Sequence, residues 1–208
     1  EIVRPSDGEH PNKIAFLQCI GSRDLPSGNG YCSSVCCMYA IKEALVAKDH
    51  DPNLDIAIFY MDMRTQGKEF DYSRLRAKEK GIRFVRGRFG KIQTRDKGLE
   101  IKYVSEDGTH LKETFEMVVL PEGLESPEDA ASLARAAQVD LNPYDFCKTH
   151  PFEPLETSRP GIFVAGAFQG PKDVPESVTD ASGAAAHAAE ALSQARNTGV
   201  EVKAYPVE

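Results

Sequence analysis

Apolar residues dominate two short runs, Ile14–Ile20 (IAFLQCI) and Leu54–Tyr60 (LDIAIFY). Runs this short and this apolar predict strands buried on both faces, as in a parallel sheet. From Ser33 or Ser34 the spacing turns helical, with Val35, Tyr39, Ala40 and Ala44 on one apolar face and serine as N-cap. That helix should end near Ala47, before Asp49-His50-Asp51-Pro52. Phe70–Lys80 reads as a second helix, stopped at Gly81, and Ile82–Val85 as a third strand. Strand, helix, strand, helix, strand describes a parallel sheet with helical crossovers.

The period then changes. Phe89–Thr94, Leu99–Ser105 and Thr109–Glu116 alternate apolar and polar, separated by Asp96-Lys97-Gly98 and Glu106-Asp107-Gly108. Asp-Gly between alternating runs signals hairpins, so the group predicts an antiparallel meander. Met117–Leu120 (MVVL) returns to the parallel sheet. Ser126–Gln138 opens Ser-Pro-Glu-Asp, an N-cap with proline at the first helical position. Pro143–Pro160 is irregular, Gly161–Ala165 a last short strand, Gly166–Pro175 a loop, Glu176–Gln194 an Ala-rich helix, and Thr198–Glu208 a loosely held tail. The fold class is α/β: a Rossmann-like parallel sheet with an antiparallel β-meander. The expected division is a linker over 1–13, a Rossmann-like domain over 14–123, and a second domain over 124–208.

Composition narrows the function. With 208 residues the chain can bury a substantial core, and a net charge of −7 argues against nucleic acid as partner. No apolar run approaches the roughly 18–20 residues that span a bilayer. The chain opens Glu1-Ile2-Val3, so it is expected to be a piece of something longer. Five cysteines do not make a secreted disulfide framework, and a reducing, cytoplasmic setting is expected.

Four of those cysteines crowd into CIGSRDLPSGNGYCSSVCC, as Cys19, Cys32, Cys36 and Cys37. They fall at the turn after the first strand, where a dinucleotide-binding unit would carry GxGxxG. On a helix Cys32 and Cys36 would share one face, with Cys19 arriving from the strand end. Such a set reads as an iron–sulfur cluster, a zinc site, redox thiols, or small buried hydrophobes. The density of sulfur favours a metal centre, and the lack of CxxC knuckles counts against zinc.

CIGSRD together with YCSSVCCMYAIKEA resembles the signature of the A subunit of heterodisulfide reductase, a family of iron–sulfur flavoproteins of methanogens and sulfate reducers. The resemblance implies Cys19, Cys32, Cys36 and Cys37 as ligands of a 4Fe–4S cluster and Lys42 as a lysine close to the flavin. GIFVAGAFQGPKDVPESVTDASGAAA resembles the family's terminal FAD-binding segment, an arrangement shared with thioredoxin-reductase-like flavoproteins. It implies that Gly166, Ala167, Gly170, Lys172, Asp173 and Val174 line FAD, mostly through backbone groups. On this analogy 14–123 is an NAD(P)-type domain carrying cysteines in place of the glycine fingerprint, and 124–208 is the C-terminal part of an FAD-binding domain. Two departures stand out. Ala167 occupies the position where thioredoxin reductases carry a ribityl-binding Asp, and no GxGxxG holds the pyrophosphate.

The resemblance further implies electron transfer between FAD and the cluster, coupled in some relatives to electron bifurcation. Other heterodisulfide reductase-type subunits, electron-donor proteins and a second copy in a homodimer are the implied partners. The isolated piece is expected to bind FAD weakly and to lack turnover. The competing class is a docking module of a redox complex, its cysteines binding zinc or no metal. Cys147 and the five histidines read as packing or surface residues. Asp62 stands where a Rossmann acid would grip a ribose, and Arg83, Arg86 and Arg88 read as a solvated strand face.

Overall fold

In the computed structural model, which describes residues 2–96 and 98–193, strand β1 (Lys13–Leu17) lies parallel to β2 (Asp55–Tyr60). Ile14 pairs with Ile56 and Phe16 with Ile58. Side chains alternate across a strand, so these four share one face. There they pack against Ala40, Ile41, Ala44 and Leu45 of helix α1 (Cys36–His50) and Ala77 of helix α2 (Phe70–Glu79). Ala15, Leu17, Ala57 and Phe59 point the other way. With both faces covered, neither strand has a polar side, which accounts for the continuous apolar runs.

The opposite face is covered by the meander. Strand β3 (Arg83–Arg95) begins parallel to β2 and continues antiparallel to β4 (Gly98–Ser105), which pairs with β5 (His110–Phe115). Ile101 and Phe115 close over Leu17 and Phe59. Strand β6 (Met117–Val119) pairs parallel with β1, so six strands among the described residues run in the order β5-β4-β3-β2-β1-β6. The fold is the expected α/β class, with one correction within it. The strands read as Ile82–Val85 and Phe89–Thr94 are one, because Gly87 does not break the ladder. A Cβ there would strike the Val104 carbonyl, so glycine instead permits the close approach of β4.

The chain divides into two compact units, Glu1–Leu124 and Glu125–Glu208. The second contains helix α3 (Ala130–Ala137), a hairpin of β7 (Thr149–His150) and β8 (Glu153–Thr157), and helix α4 (Val174–Ser193). Ala134, Val139, Cys147 and Val164 form its small core, so Cys147 is a packing residue. Helix α3 is shorter than its sequence pattern: Ser126 does not cap it but donates to the Asp145 carbonyl at 2.6 Å, and Asp129 takes the cap position. Gly161–Ala165 makes only a single bridge, Phe163 to Glu156, because Pro160-Gly161 turns the chain back onto β8 too tightly for a full strand. Gln194 and the tail 198–208 lie outside the described residues.

Two interactions tie the layers of the first unit together. Phe59 is fully buried and meets Tyr103 and Phe115 edge-on, at 4.9 and 5.7 Å between ring centroids. Phe59→Ala should cost about 3–5 kcal/mol in urea unfolding, the usual loss for a buried aromatic. The second is Glu113, which accepts hydrogen bonds from Lys13 and Arg83, each at 2.7 Å. Burial pushes its pKa up, but the bonds from Arg83 and Lys13 outweigh it and hold the carboxyl below its ordinary range. A depressed folded pKa contributes stability above the unfolded value of about 4.3, and that stability is lost as pH falls through the folded one. Glu113→Gln should therefore lower stability at neutral pH by about 1 kcal/mol, discounted for the partly exposed partners. The gap between native and variant urea midpoints should close on acidification.

Candidate functional site

The cysteines converge at the carboxyl edge of the parallel sheet, where β1 leaves between β2 and β6. Ligands of open α/β sheets bind at such a switch point. Gln18 continues the ladder, its N–H donating to the Phe59 carbonyl at 3.0 Å. Cys19 then turns the chain with a left-handed φ of 64°. Arg23 and Ser34 are left-handed too, at 56° and 62°. Non-glycine residues held in this region cost free energy, and such strain gathers at functional sites.

The far end of the loop is pinned by the segment after β6. The Tyr31 hydroxyl donates to the Leu124 carbonyl and the Leu124 N–H donates to Ser33 Oγ, both at 3.0 Å. A Cβ on Gly123 would strike Ser33 Oγ, so glycine is required for this approach. Two sequence expectations are corrected here. Ser33 does not cap α1, because its hydroxyl is taken by Leu124, and Ser34 does not either. Val35 holds the cap position without a side-chain bond. Cys32 does not share a helical face with Cys36, because the helix begins at Cys36.

The four thiols lie within electrostatic reach of one another: Cys19 senses Cys37 and Cys32, and Cys36 senses Cys37, Cys19 and Cys32. The Cys36 thiol is hydrogen-bonded to Cys37, which holds the Cys36 proton on and draws Cys37 down to about 7. Burial pushes Cys19 up. Backbone N–H groups of Ser34 and Arg64 donate to Cys32 and Cys37 sulfur at 3.4 and 3.5 Å. Arg23 reaches both Cys19 and Asp62, and Arg64 Nε donates to Asp62 at 3.2 Å. Asp62 is thus engaged by two guanidinium groups beside the cysteines. Arg83 and Arg86 likewise pair with carboxylates, Asp55 and Glu113 for the first and Glu106 for the second.

Three observations bear on whether these residues fit a metal centre. Four thiols, two backbone N–H···S donors and two arginines make a soft, charge-compensated donor set. Among the described residues, no three His, Cys, Asp or Glu side chains converge on a single-ion site. A zinc tetrathiolate needs sulfurs about 3.8 Å apart, given Zn–S bonds near 2.3 Å, whereas a 4Fe–4S cluster takes one thiolate per iron and spreads them wider. Finally, Gln18 Nε2 and Oε1 and Ser22 Oγ are buried without partners, and both residues flank Cys19. In donor type, four thiols with N–H···S bonds and nearby cations, the residues present fit a thiolate-held cluster.

Lys42 lies exposed on α1, beside a groove of about 510 Å³ that Phe16, Tyr39, Val46 and Met117 also line. In the second unit Gly166, with a left-handed φ of 73°, opens a single 3-10 turn, Gly166–Phe168, that includes Ala167. Gly170 follows in open space. Lys172 turns its side chain to Asp180 and Gln169, so only its backbone is free for a ligand. Asp173 and Glu176 form a capping box at the start of α4: Glu176 N–H donates to Asp173 Oδ1 at 2.8 Å and Asp173 N–H to Glu176 Oε2 at 2.9 Å. Val174 stands 76% exposed. Asp173→Ala should cost about 1 kcal/mol of α4 stability, read as faster amide exchange in the helix's first two turns.

Sequence reasoning missed Gln18, Ser22, Arg23 and Arg64 as site residues. One polar residue inside IAFLQCI was a signal for Gln18, and Arg23 stands within the CIGSRD motif.

The first unit is an α/β domain whose four clustered cysteines lie between its first strand and the first turn of its first helix. The fold of the chain is shared with solved structures. Thioredoxin reductase of Lactococcus lactis matches 88% of the chain, and 54% of its own, at TM-score 0.52 and 18% identity. That of T. acidophilum matches 86% of the chain, and 52% of its own, at 0.52 and 17%. These show a thioredoxin-reductase-like FAD/NAD-binding fold. No family model matches. In sequence, the chain is 42% identical over 198 residues to the A subunit of the H(2)/formate:CoB-CoM heterodisulfide,ferredoxin reductase of Methanococcus maripaludis, covering 92% of the chain and 30% of that protein. It is 43% identical over 190 residues to the iron-sulfur A subunit of the CoB–CoM heterodisulfide reductase of Methanocaldococcus jannaschii, covering 88% and 29%. The chain belongs to the family of heterodisulfide reductase A subunits and spans about 30% of the length of these relatives.

Proposed function

We propose that this chain is the electron-transfer portion of an oxidoreductase of the heterodisulfide reductase A-subunit type, with a 4Fe–4S cluster on Cys19, Cys32, Cys36 and Cys37. The observation that carries the reading is the gathering of four thiols and two arginines at the carboxyl edge of β1. When bound, the cluster and FAD supply one-electron and two-electron chemistry, and the protein supplies position and electrostatics. Cys19 and Cys32 hold from the loop, Cys36 and Cys37 from the first turn of α1. Arg23 and Arg64 offset the negative charge that four thiolates bring, and Asp62, bonded to both, offsets the repulsion between the two guanidinium groups.

The flavin-facing segment in this reading is Gly166–Val174. Gly166, Ala167 and Gly170 offer backbone without bulk, and the dipole of α4 favours negative charge at its start. Ala167 has no group for the ribityl chain, so orientation there falls to main-chain atoms. Lys42, a cation on α1, is the candidate partner for negative charge on a reduced flavin. Transfer between FAD and the cluster, flavin-based bifurcation, exchange with other subunits and electron donors, homodimer formation and a cytoplasmic setting complete the proposal. Among the described residues, no helix is long and apolar enough to cross a membrane.

Anaerobic iron and acid-labile sulfide analysis, with an absorbance spectrum, tests the reading on the chain and on a Cys36→Ala/Cys37→Ala variant. The expected result is about four irons per chain, lost in the double variant together with visible absorbance. Zinc, or no metal after reconstitution with ferrous iron and sulfide, would replace this reading with the docking module.

A further inference from the structure

We infer that Gln18 and Ser22 donate hydrogen bonds to the sulfur of the group held by the four cysteines, and so set its reduction potential. The inference rests on the iron–sulfur reading above and concerns side chains that are not ligands. Gln18 is 2% and Ser22 1% exposed, yet neither side chain has a partner. A buried polar group left unpaired costs about 1–3 kcal/mol, and native structures hold few of them. Among the described residues only Arg74 Nε shares this condition, so unpaired buried atoms concentrate on the two sides of Cys19.

Position supports the same reading. Gln18 follows Ile14 and Phe16 in the alternation of β1, which places it on the face covered by α1. The first turn of that helix carries Cys36 and Cys37. Ser22 lies against Gly123 together with Ser33, the residue that follows Cys32. Packing alone would be better served by leucine at 18, in line with Ile14 and Phe16, so an amide there has a polar task. Its two N–H protons and the Ser22 hydroxyl are donors, and sulfide and thiolate are acceptors. Hydrogen bonds to cluster sulfurs stabilise the more negative, reduced form more than the oxidised one and raise the potential.

The test uses the full chain reconstituted anaerobically with ferrous iron and sulfide, native and as Gln18→Met and Ser22→Ala. EPR-monitored redox titration gives the midpoint, and resonance Raman in H2O and D2O reports protons on sulfur. Gln18→Met should keep its iron while its reduction equilibrium falls about ten-fold, roughly 59 mV for a one-electron couple. Ser22→Ala should shift in the same direction by less, and both should lose part of the D2O sensitivity of the Fe–S bands. Native midpoint and native D2O shift in fully loaded variants would overturn the inference and leave the cluster reading intact. Should Gln18→Met fail to fold, Ser22→Ala carries the test alone. A native chain that binds no iron would overturn both readings.

Discussion

The burial of β1 on both faces and both edges is the constraint on which the site depends. Flanked by β2 and β6, covered by α1 on one face and the meander on the other, the strand can release its chain only at its carboxyl edge. The return path is then fixed as well. Helix α1 must lie over Ile14 and Phe16, and this brings its first turn, with Cys36 and Cys37, back over the edge where Cys19 emerged. In a nucleotide-binding version of this unit, glycines at the turn let a pyrophosphate approach the helix N-terminus. Here the turn is longer, and its reactive groups are sulfur.

That exchange changes the electrostatics of the edge. A pyrophosphate brings its own negative charge to backbone N–H groups, whereas thiolates place the negative charge in the protein. The compensation is local. Arg23 comes from the same loop as Cys19, and Arg64 follows β2, the strand paired with β1. Asp62, which sequence position alone would assign to a ribose, is held between those arginines. Its carboxylate is pushed up by burial, but the bonds from Arg23 and Arg64 hold it below its ordinary range. An acid so engaged serves the arrangement of the two arginines.

Elements set by period were legible in the sequence. The two-sided burial of Ile14–Leu17 and Asp55–Tyr60 and the alternation of the meander need only side-chain pattern, and pattern is what a sequence displays. Features set by approach between distant segments were not. Ser33 looked like a cap because capping is local, but its hydroxyl is claimed by Leu124, 91 residues away. Ile82–Val85 and Phe89–Thr94 looked like two strands because the period changes between them, but they are one, and Gly87 within it admits the carbonyl of Val104. Cys32 looked helical by spacing, and the left-handed Ser34 delays the helix to Cys36. At the site, the cysteines declared themselves by density. Gln18, Ser22 and the arginines acquire meaning only once the fold shows what surrounds them.

Under the proposed function, rigidity is the property that this arrangement gives an electron-transfer centre. A group that gains and loses charge without changing its bonds works best where its surroundings do not have to move, and preorganised dipoles supply that. Cys19 is anchored by a strand end, and Cys36 and Cys37 by a helix whose Ala40, Ile41 and Ala44 are wholly buried. Cys32 sits at the far end of the loop, which is tied there by Tyr31 and Ser33 to Leu124. The left-handed residues at 19, 23 and 34 would relax if the loop were free, so their persistence requires these ties. The backbone strain, the glycine at 123 and the unpaired amide of Gln18 thus belong to one design, in which the packed edge of a sheet holds four sulfurs in place.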